Sequence, residues 1–278
     1  MITVQCKDGL LSYRGFLDVE KTLFCGQAFR WDKGYEGFHG FARCPETGKD
    51  MELCLVFVDM KHVRVFVTRA EFSAFWEDYF DLRSDYEWLH RYIKLSGDAF
   101  LKKCLDNAVG LRLLRQDFWE TLCTFIISQR NNIPKIKSSV ARLAGSFGAK
   151  GCFPAASDLV DIDPVNLRSL TGCGYRDEYL QDAARAMLDG RFDNIHSLSY
   201  VEQKELLKTV KGVGDKVADC TVLFGLHNRN AFPVDVWMQR IIDKEYGSVL
   251  PDFDPQYVGL IQQYMFYYAL THKKEFVA

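Results

Sequence analysis

Residues 208–220 read KTVKGVGDKVADC and predict two helices joined by the tight turn Gly212-Val213-Gly214. Such a turn exposes successive backbone N–H groups at the start of the second helix, an arrangement that binds phosphate. An apolar stripe with spacings of three and four residues crosses the turn: Leu206, Val210, Val213, Val217, Cys220 and Phe224. An ordinary helical hairpin is the alternative, because Gly-x-Gly alone is a weak signal. The neighbouring Lys208 and Lys211 favour DNA binding.

Lys216 falls in the first turn of the second predicted helix. A cation is disfavoured there, because the helix N-terminus carries partial positive charge. The same field favours the neutral amine, which can attack C1′ of a sugar and form a Schiff base. Lys216 is therefore a candidate nucleophile, and an ordinary solvated lysine is the alternative.

Asp235 follows in the segment HNRNAFPVDVW at 227–237. A helix over 215–226 would be about 16–18 Å long, and an extended segment 228–234 could span about 23 Å. The chain could then return and bring Asp235 to Lys216. A carboxylate there would stabilise positive charge on a sugar as its bond to a base breaks, or assist proton transfer. Asp235 is also expected to cap the helix that follows it.

Composition describes a chain of 278 residues with a net charge of −2 and nine cysteines. No apolar run approaches the roughly 18 residues of a membrane span, and the N-terminus lacks the apolar centre of a signal peptide. A cytoplasmic location is therefore expected. The cysteines form no C-x-x-C motif, so they are expected to be reduced thiols, with no metal or other cofactor. The slightly acidic balance is unusual for a nucleic-acid partner, although charge can be segregated by face.

The hydrophobic pattern changes along the chain from strands to helices. LCLVFV (53–58) and HVRVFV (62–67) predict a β-hairpin, and Val63, Val65 and Val67 alternate with period two. Helices are predicted at 115–130, 133–148, 177–189, 199–209, 215–226, 236–246 and 255–272, with Asp117 as an N-cap, Pro134 in a first turn and Gly148 near an end. We expect an α+β fold with an N-terminal antiparallel sheet domain (1–107) and a helical domain (108–278). The latter would contain the hairpin at about 203–226 and an inserted helical lobe at about 136–210.

Several stretches together resemble a known family. LLKTVKGVGDKVADC followed by AFPVDVW is similar to the helix-hairpin-helix-GPD superfamily of DNA glycosylases, in the lysine-bearing form of its bifunctional members. Five more stretches are similar to 8-oxoguanine DNA glycosylases: LFCGQAFRW (23–31), YFDL (79–82), GLRLLRQD (110–117), FIISQRNNI (125–133) and GCGYR (172–176). The resemblance implies a two-lobed helical region and a base-excision enzyme that flips 8-oxoguanine out of duplex DNA. It further implies that Lys216 displaces the base, that β-elimination then nicks the strand, and that Asp235 assists.

The resemblance also implies a pocket for the flipped base. The Gly26 carbonyl would accept the N7–H that only the oxidised base carries, and buried sites discriminate strongly on such a bond. Phe266 would stack on the base, Gln262 would bond its pairing edge, and Cys220 would flank it. IQQYMFYY allows a shift of one position for Gln262 and Phe266. Each of these residues could instead be purely structural.

Further carried-over positions would contact the DNA around the lesion. Tyr175 would fill the vacated stack and Arg176 would bond the orphaned partner base. SQRNNIPK departs from the family's eukaryotic pattern, since Arg130 replaces an asparagine before Asn131 and Asn132, and Lys135 replaces an arginine. Trp237 stands where a phosphate-contacting histidine is usual. A strict preference for cytosine opposite the lesion is therefore in doubt, and the departures suit a bacterial member.

Three other interpretations can be compared with this one. A monofunctional glycosylase for alkylated bases would lack Lys216. An iron–sulfur glycosylase would carry four cysteines after Asp235, whereas none follows Cys220. A non-catalytic hairpin module would explain Gly212 and Gly214 but not Lys216 with Asp235. The expected partner is double-stranded DNA containing oxidised guanine, bound by a monomer.

Overall fold

A computed structural model describes residues 1–149 and 152–276. The chain forms two compact units, each assembled from separate stretches of sequence. Unit 1 consists of Met1–Gly40, Leu53–Arg115 and the chain from Phe232 onward, and unit 2 consists of Phe41–Glu52 and Gln116–Ala231. The α+β class is as predicted. The domain boundary between 107 and 108 stays a prediction.

The strands of the described residues form one sheet with the order β2-β1-β6-β5-β4-β3. They are β1 (Ile2–Cys6), β2 (Gly9–Tyr13), β3 (Trp31–Lys33), β4 (Phe38–Arg43), β5 (Asp50–Asp59) and β6 (His62–Val65). The predicted hairpin is β5 and β6, with Val63 and Val65 buried. The pairs β1–β2, β3–β4 and β5–β6 are antiparallel. β1 pairs in parallel with β6, so the sheet is mixed rather than wholly antiparallel; the chain between them supplies the long crossover that a parallel pair needs.

Fourteen α-helical segments occur in the described residues. In chain order, they are α1 (Val19–Phe24), α2 (Arg69–Glu71), α3 (Glu77–Tyr79), α4 (Glu87–Leu95), α5 (Ala99–Ala108), α6 (Phe118–Ser128), α7 (Ile133–Phe147), α8 (Ala156–Leu159), α9 (Pro164–Thr171), α10 (Asp177–Leu188), α11 (Tyr200–Leu207), α12 (Asp215–Gly225), α13 (Val236–Tyr246) and α14 (Val258–Thr271). A π-helical turn, Phe72–Trp76, joins α2 to α3.

Side-chain caps determine where the helices of the candidate site begin. Asp117 accepts a hydrogen bond from the Glu120 N–H at the start of α6, as predicted. Asn132 caps α7, which carries Pro134 in its first turn and Gly148 at its C-cap. These bonds satisfy N–H groups that have no partner within the helix. The Asn132 cap therefore fixes where the segment between α6 and α7 ends.

A pH prediction follows from the Asp117 cap. Burial raises the pKa of the Asp117 carboxyl from 3.8 to about 6, although the Glu120 N–H and Arg43, 3.7 Å away, oppose the shift. The folded protein thus holds this proton more tightly than the unfolded chain, so this group makes the free energy of unfolding fall as pH rises from about 4 to about 6.

Asp117→Asn keeps a capping side chain and removes this titration. The free energy of unfolding of the variant minus that of wild type is expected to be about 1–3 kcal/mol larger at pH 7 than at pH 4. Denaturant unfolding of both proteins across this range would measure the difference. A stability difference that stays constant with pH would contradict the prediction.

Candidate active site and nucleic-acid interface

The predicted hairpin lies in unit 2, where residues 208–214 join α11 to α12. Val210, Val213 and Val217 are buried, as the apolar stripe predicts. Before the turn, the fully buried residue is Leu207 rather than Leu206, because α11 ends there and helical spacing does not continue through the turn. The two helices are also joined by Asp219 of α12, which accepts hydrogen bonds from Tyr200 at 2.8 Å and Lys204 at 3.0 Å.

Glycine occupies positions 212 and 214 of the turn for two different physical reasons. Gly212 has φ +79°, and a Cβ there would lie 2.3 Å from a ring carbon of Tyr179. Gly214 begins α12 with φ −99° and has no side chain with which to cap it. The first N–H groups of α12 are therefore left for an anion.

The lysines beside the turn are paired with carboxylates. Lys208 Nζ lies 3.0 Å from Glu205 and 3.2 Å from Asp215, and Lys211 Nζ lies 2.5 Å from Glu178. The sequence predicts that these two lysines favour DNA binding, but the neighbouring carboxylates largely balance their charge. The uncapped backbone N–H groups at the start of α12 therefore remain the groups of the turn that an anion could bind.

The glycine geometry predicts unequal effects of two matched substitutions. Gly212→Ala should destabilise the protein by about 2–4 kcal/mol, because it combines a clash with Tyr179 and a left-handed backbone. Gly214→Ala adds the same methyl group at a position where the described residues place no heavy atom within 4 Å. It should cost less than about 1 kcal/mol. Thermal unfolding of the two variants measures the contrast, and equal losses would contradict it.

Lys216 lies on α12, partly buried, with its amino group against α6. Its Nζ donates to the Ser128 hydroxyl at 3.0 Å and lies 4.9 Å from the centre of the Phe125 ring. That ring stacks on Phe224 with 5.4 Å between centroids and 17° between planes. The sequence did not single out Ser128 or Phe125 as partners of Lys216, since residue 128 lies 88 positions away. Cys220, one turn beyond Lys216 on α12, is buried.

Three of the four predicted contact residues near the orphaned base lie between α6 and α7, and the fourth, Lys135, lies in the first turn of α7. Arg130 is exposed and has φ +47°. The Asn131 amide donates to the Ile127 carbonyl at 3.2 Å, and Asn132 accepts from the Lys135 N–H at 3.0 Å. The two asparagines thus shape the backbone, while the side chains of Arg130 and Lys135 extend into solvent.

Tyr175 and Arg176 are placed very differently although they are neighbours. Tyr175 is 47% exposed, and its ring meets the edge of Tyr179, the residue packed on Gly212. Arg176 is buried under Tyr175 and donates to the Cys173 carbonyl at 2.9 Å and to the Gln129 carbonyl. The tyrosine is available to enter a base stack. To reach a base, the arginine would have to leave these carbonyls.

Asp235 and Trp237 lie at the start of α13 in unit 1. The Asp235 carboxylate accepts from the Met238 N–H at 2.9 Å, which confirms the predicted cap. The Trp237 ring lies 5.1 Å from the guanidinium carbon of Arg240, a residue that the sequence reasoning did not consider. The cap holds the carboxylate at the N-terminal end of α13.

Gly26 of unit 1 is held by its neighbours in a conformation that favours glycine, with φ +87°. The buried Gln27 amide donates to the carbonyls of Thr22 and Arg112, both at 2.8 Å, and accepts from the Leu114 N–H at 3.0 Å. Gln263 of α14 donates to the Cys25 carbonyl at 3.2 Å. The Gly26 loop is therefore attached to two parts of unit 1. Sequence patterns could not have found these bonds, which join residues as many as 238 positions apart.

Gln262 and Phe266 lie one turn apart on α14. The Gln262 amide nitrogen donates to the Pro233 carbonyl at 3.0 Å, while its buried Oε1 accepts no hydrogen bond from the described residues. A buried acceptor without a partner costs free energy, so such atoms mark places where a ligand can bind. Phe266 is partly exposed. Because Gln263 is engaged with Cys25, this geometry favours the Gln262 register over the shifted one.

The described residues contain no cluster of His, Cys, Asp or Glu suited to hold a metal ion. In the same part of the chain, no helix is both long enough and apolar enough to cross a membrane.

Comparison with known proteins defines the class of the chain. Residues 123–250 match the HhH-GPD superfamily of base-excision DNA repair proteins, and residues 10–122 match the N-terminal domain of 8-oxoguanine DNA glycosylase. The hairpin and Lys216 both lie within residues 123–250. The chain is a helix-hairpin-helix repair protein, and it belongs to the 8-oxoguanine DNA glycosylase family.

Individual relatives are similar to this chain over most of its length. MBOgg1, solved with a low-affinity DNA ligand, is 33% identical over 92% of this chain and 93% of its own, with a TM-score of 0.80. The Clostridium acetobutylicum 8-oxoguanine glycosylase/lyase, solved with dsDNA containing cytosine opposite 8-oxoG, is 30% identical over 95% of this chain and 100% of its own, also with a TM-score of 0.80. The N-glycosylase/DNA lyase of Saccharomyces cerevisiae is 29% identical over 85% of this chain and 72% of its own.

Proposed function

We propose that this protein is a bifunctional DNA glycosylase and AP lyase that removes 8-oxoguanine from duplex DNA in base-excision repair. The observation that carries the proposal is the Lys216 amino group, held on Ser128 and Phe125 at the start of the helix that follows the hairpin. A non-catalytic hairpin module would need no amine in this position. The family membership of the chain supports the same conclusion.

Lys216 performs the nucleophilic step. Its amine nitrogen forms a bond to C1′ while the bond between C1′ and the base breaks, and the bonding electrons leave with the base. The nitrogen passes a proton to the departing base, and the bond between C1′ and O4′ then breaks, so that O4′ takes up a proton and the ring opens to a Schiff base. Loss of a C2′ proton to solvent lets β-elimination break the C3′–O bond, which expels the 3′ phosphate and nicks the strand. Asp235 assists the first step by stabilising the positive charge that develops on the sugar.

The oxidised base would be recognised by three residues of unit 1. The Gly26 carbonyl accepts its N7–H, the Gln262 Oε1 accepts from its pairing edge, and Phe266 stacks on its face. Support comes from the buried Gln262 Oε1, to which no residue in the described part of the chain donates, and from the bonds that hold the Gly26 loop. Cys220 flanks the base.

The remaining predicted residues contact the rest of the duplex. Gly212, Val213 and Gly214 bind a backbone phosphate through N–H groups, and Trp237 lies along the backbone. Tyr175 fills the vacated stack, while Arg130, Asn131, Asn132, Lys135 and Arg176 face the opposite base. We place the protein, as a monomer, in the cytoplasm of a bacterium, acting at the nucleoid.

Covalent trapping tests this function. Duplexes that contain one 8-oxoguanine, one 3-methyladenine or no lesion are incubated with wild-type protein and borohydride. The proposal expects a covalent adduct and a strand break with 8-oxoguanine only. No adduct on any duplex would leave only a binding role, and a preference for 3-methyladenine would assign a different base. Repeating the assay with each base opposite 8-oxoguanine measures the partner preference.

A further inference from the structure

Among the described residues of unit 2, the Lys216 amine donates to the Ser128 hydroxyl at 3.0 Å, and no function has yet been assigned to this serine. Ser128 is the last residue of α6 and is 8% exposed. A buried side chain in a helix is held firmly by its packing, so its oxygen is a well-defined acceptor. The contact therefore ties the proposed nucleophile to a rigid element.

Which group donates in this contact follows from the second hydrogen bond of Ser128. Its Oγ lies 2.7 Å from the Phe125 carbonyl, which can only accept, so the single hydroxyl hydrogen points there. Only the lone pairs of the Ser128 oxygen remain for Lys216. Ser128 thus accepts from the amine and does not donate to it.

That arrangement orients the nitrogen. A neutral amine carries two hydrogens and one lone pair besides its Cε bond. With one N–H on Ser128, the lone pair is restricted to the two directions that face away from this oxygen. The Phe125 ring, 4.9 Å from Nζ and stacked on Phe224, limits the movement of the amino group further. Nucleophilic attack is sensitive to such orientation.

We propose that Ser128 is a positioning residue that directs the Lys216 lone pair toward C1′, an inference that rests on the proposed function. Ser128 touches neither the sugar nor the base in this role. Its effect is confined to the amine step, so base recognition and duplex binding do not depend on it.

The experiment separates the amine step from base recognition by using two substrates. On a duplex with a preformed abasic site, the Lys216 amine condenses with the C1′ aldehyde and releases water, and borohydride traps the imine. On an 8-oxoguanine duplex, the base must be recognised and displaced first. Ser128→Ala is expected to slow both single-turnover rates about tenfold, since misplacement of a reacting group by about 1 Å can cost a hundredfold. The Kd for the abasic duplex should stay within about twofold, because no DNA-binding group is lost.

Two further variants make the result specific. Ser128→Thr keeps the oxygen and should recover most of the rate on both substrates. Ser139→Ala removes the hydroxyl of another buried serine of unit 2, on α7, and should behave as wild type. Thermal unfolding confirms that each variant is folded.

The possible outcomes distinguish this inference from the function beneath it. Wild-type trapping rates for Ser128→Ala would overturn the positioning role and leave the proposed function intact. Loss of affinity as large as the loss of rate would also overturn it, in favour of a structural role. If wild-type protein traps neither duplex, both the function and the inference fail.

Discussion

Lys216→Gln is expected to lose covalent trapping completely and to excise 8-oxoguanine at least about 10³-fold more slowly than wild type. An amide nitrogen delocalises its lone pair, so glutamine can neither attack C1′ nor form an imine. Glutamine is one bond shorter than lysine and, like lysine, carries N–H donors. Single-turnover excision and borohydride trapping would measure the two losses.

A second lysine near the hairpin provides the control for Lys216→Gln. Lys208 is paired with Glu205 and Asp215 and caps the end of α11. Lys208→Gln removes the same charge without removing the proposed nucleophile, so its trapping should remain within about threefold of wild type. If Lys216→Gln traps DNA as well as Lys208→Gln, another amine performs the chemistry.

Asp235→Asn is expected to slow base excision by about 10²–10³-fold. Asparagine and aspartate are equally good N-caps, so the bond to the Met238 N–H should survive. The substitution therefore removes the charge and keeps the cap. Excision rates at saturating protein would report the first effect, and thermal unfolding would report the second.

The matched control is Asp163→Asn, which changes the N-cap of α9 in the same way. The free energy of unfolding of both variants should lie within about 1 kcal/mol of the wild-type value, whereas only Asp235→Asn should excise the base more slowly. An Asp235→Asn protein with the wild-type rate would limit Asp235 to capping. An equal loss in both variants would indicate a general effect on folding.

The helices could be predicted from local sequence because their signals lie within one or two turns. Asp117, Pro134 and Asp235 act on N–H groups or backbone angles at most three residues away. Predicted boundaries consequently fall close to those observed. The shift from Leu206 to Leu207 arises where α11 ends and helical periodicity no longer applies. The parallel pairing of β1 with β6 joins distant strands, and no turn motif announces it.

The candidate site also has some features that local sequence predicts and others that depend on tertiary contacts. Gly212, Gly214 and Lys216 could be placed on one short hairpin, since their spacing alone sets a turn and a helix start. Their surroundings could not. The neutralisation of Lys211 by Glu178 and the burial of Arg176 against Gln129 depend on segments far apart in sequence.

The sequence by itself predicts the hairpin, the amine at the start of its second helix, the cap at Asp235 and the α+β class. Periodicity, capping and glycine conformation predict these features because they act over a few residues. Only the tertiary structure shows that the Lys216 amine donates to Ser128, 88 positions away, and that no described residue donates to the buried Gln262 Oε1. Such contacts depend on which helix faces pack together. Only the folded chain brings such groups within hydrogen-bonding distance of each other.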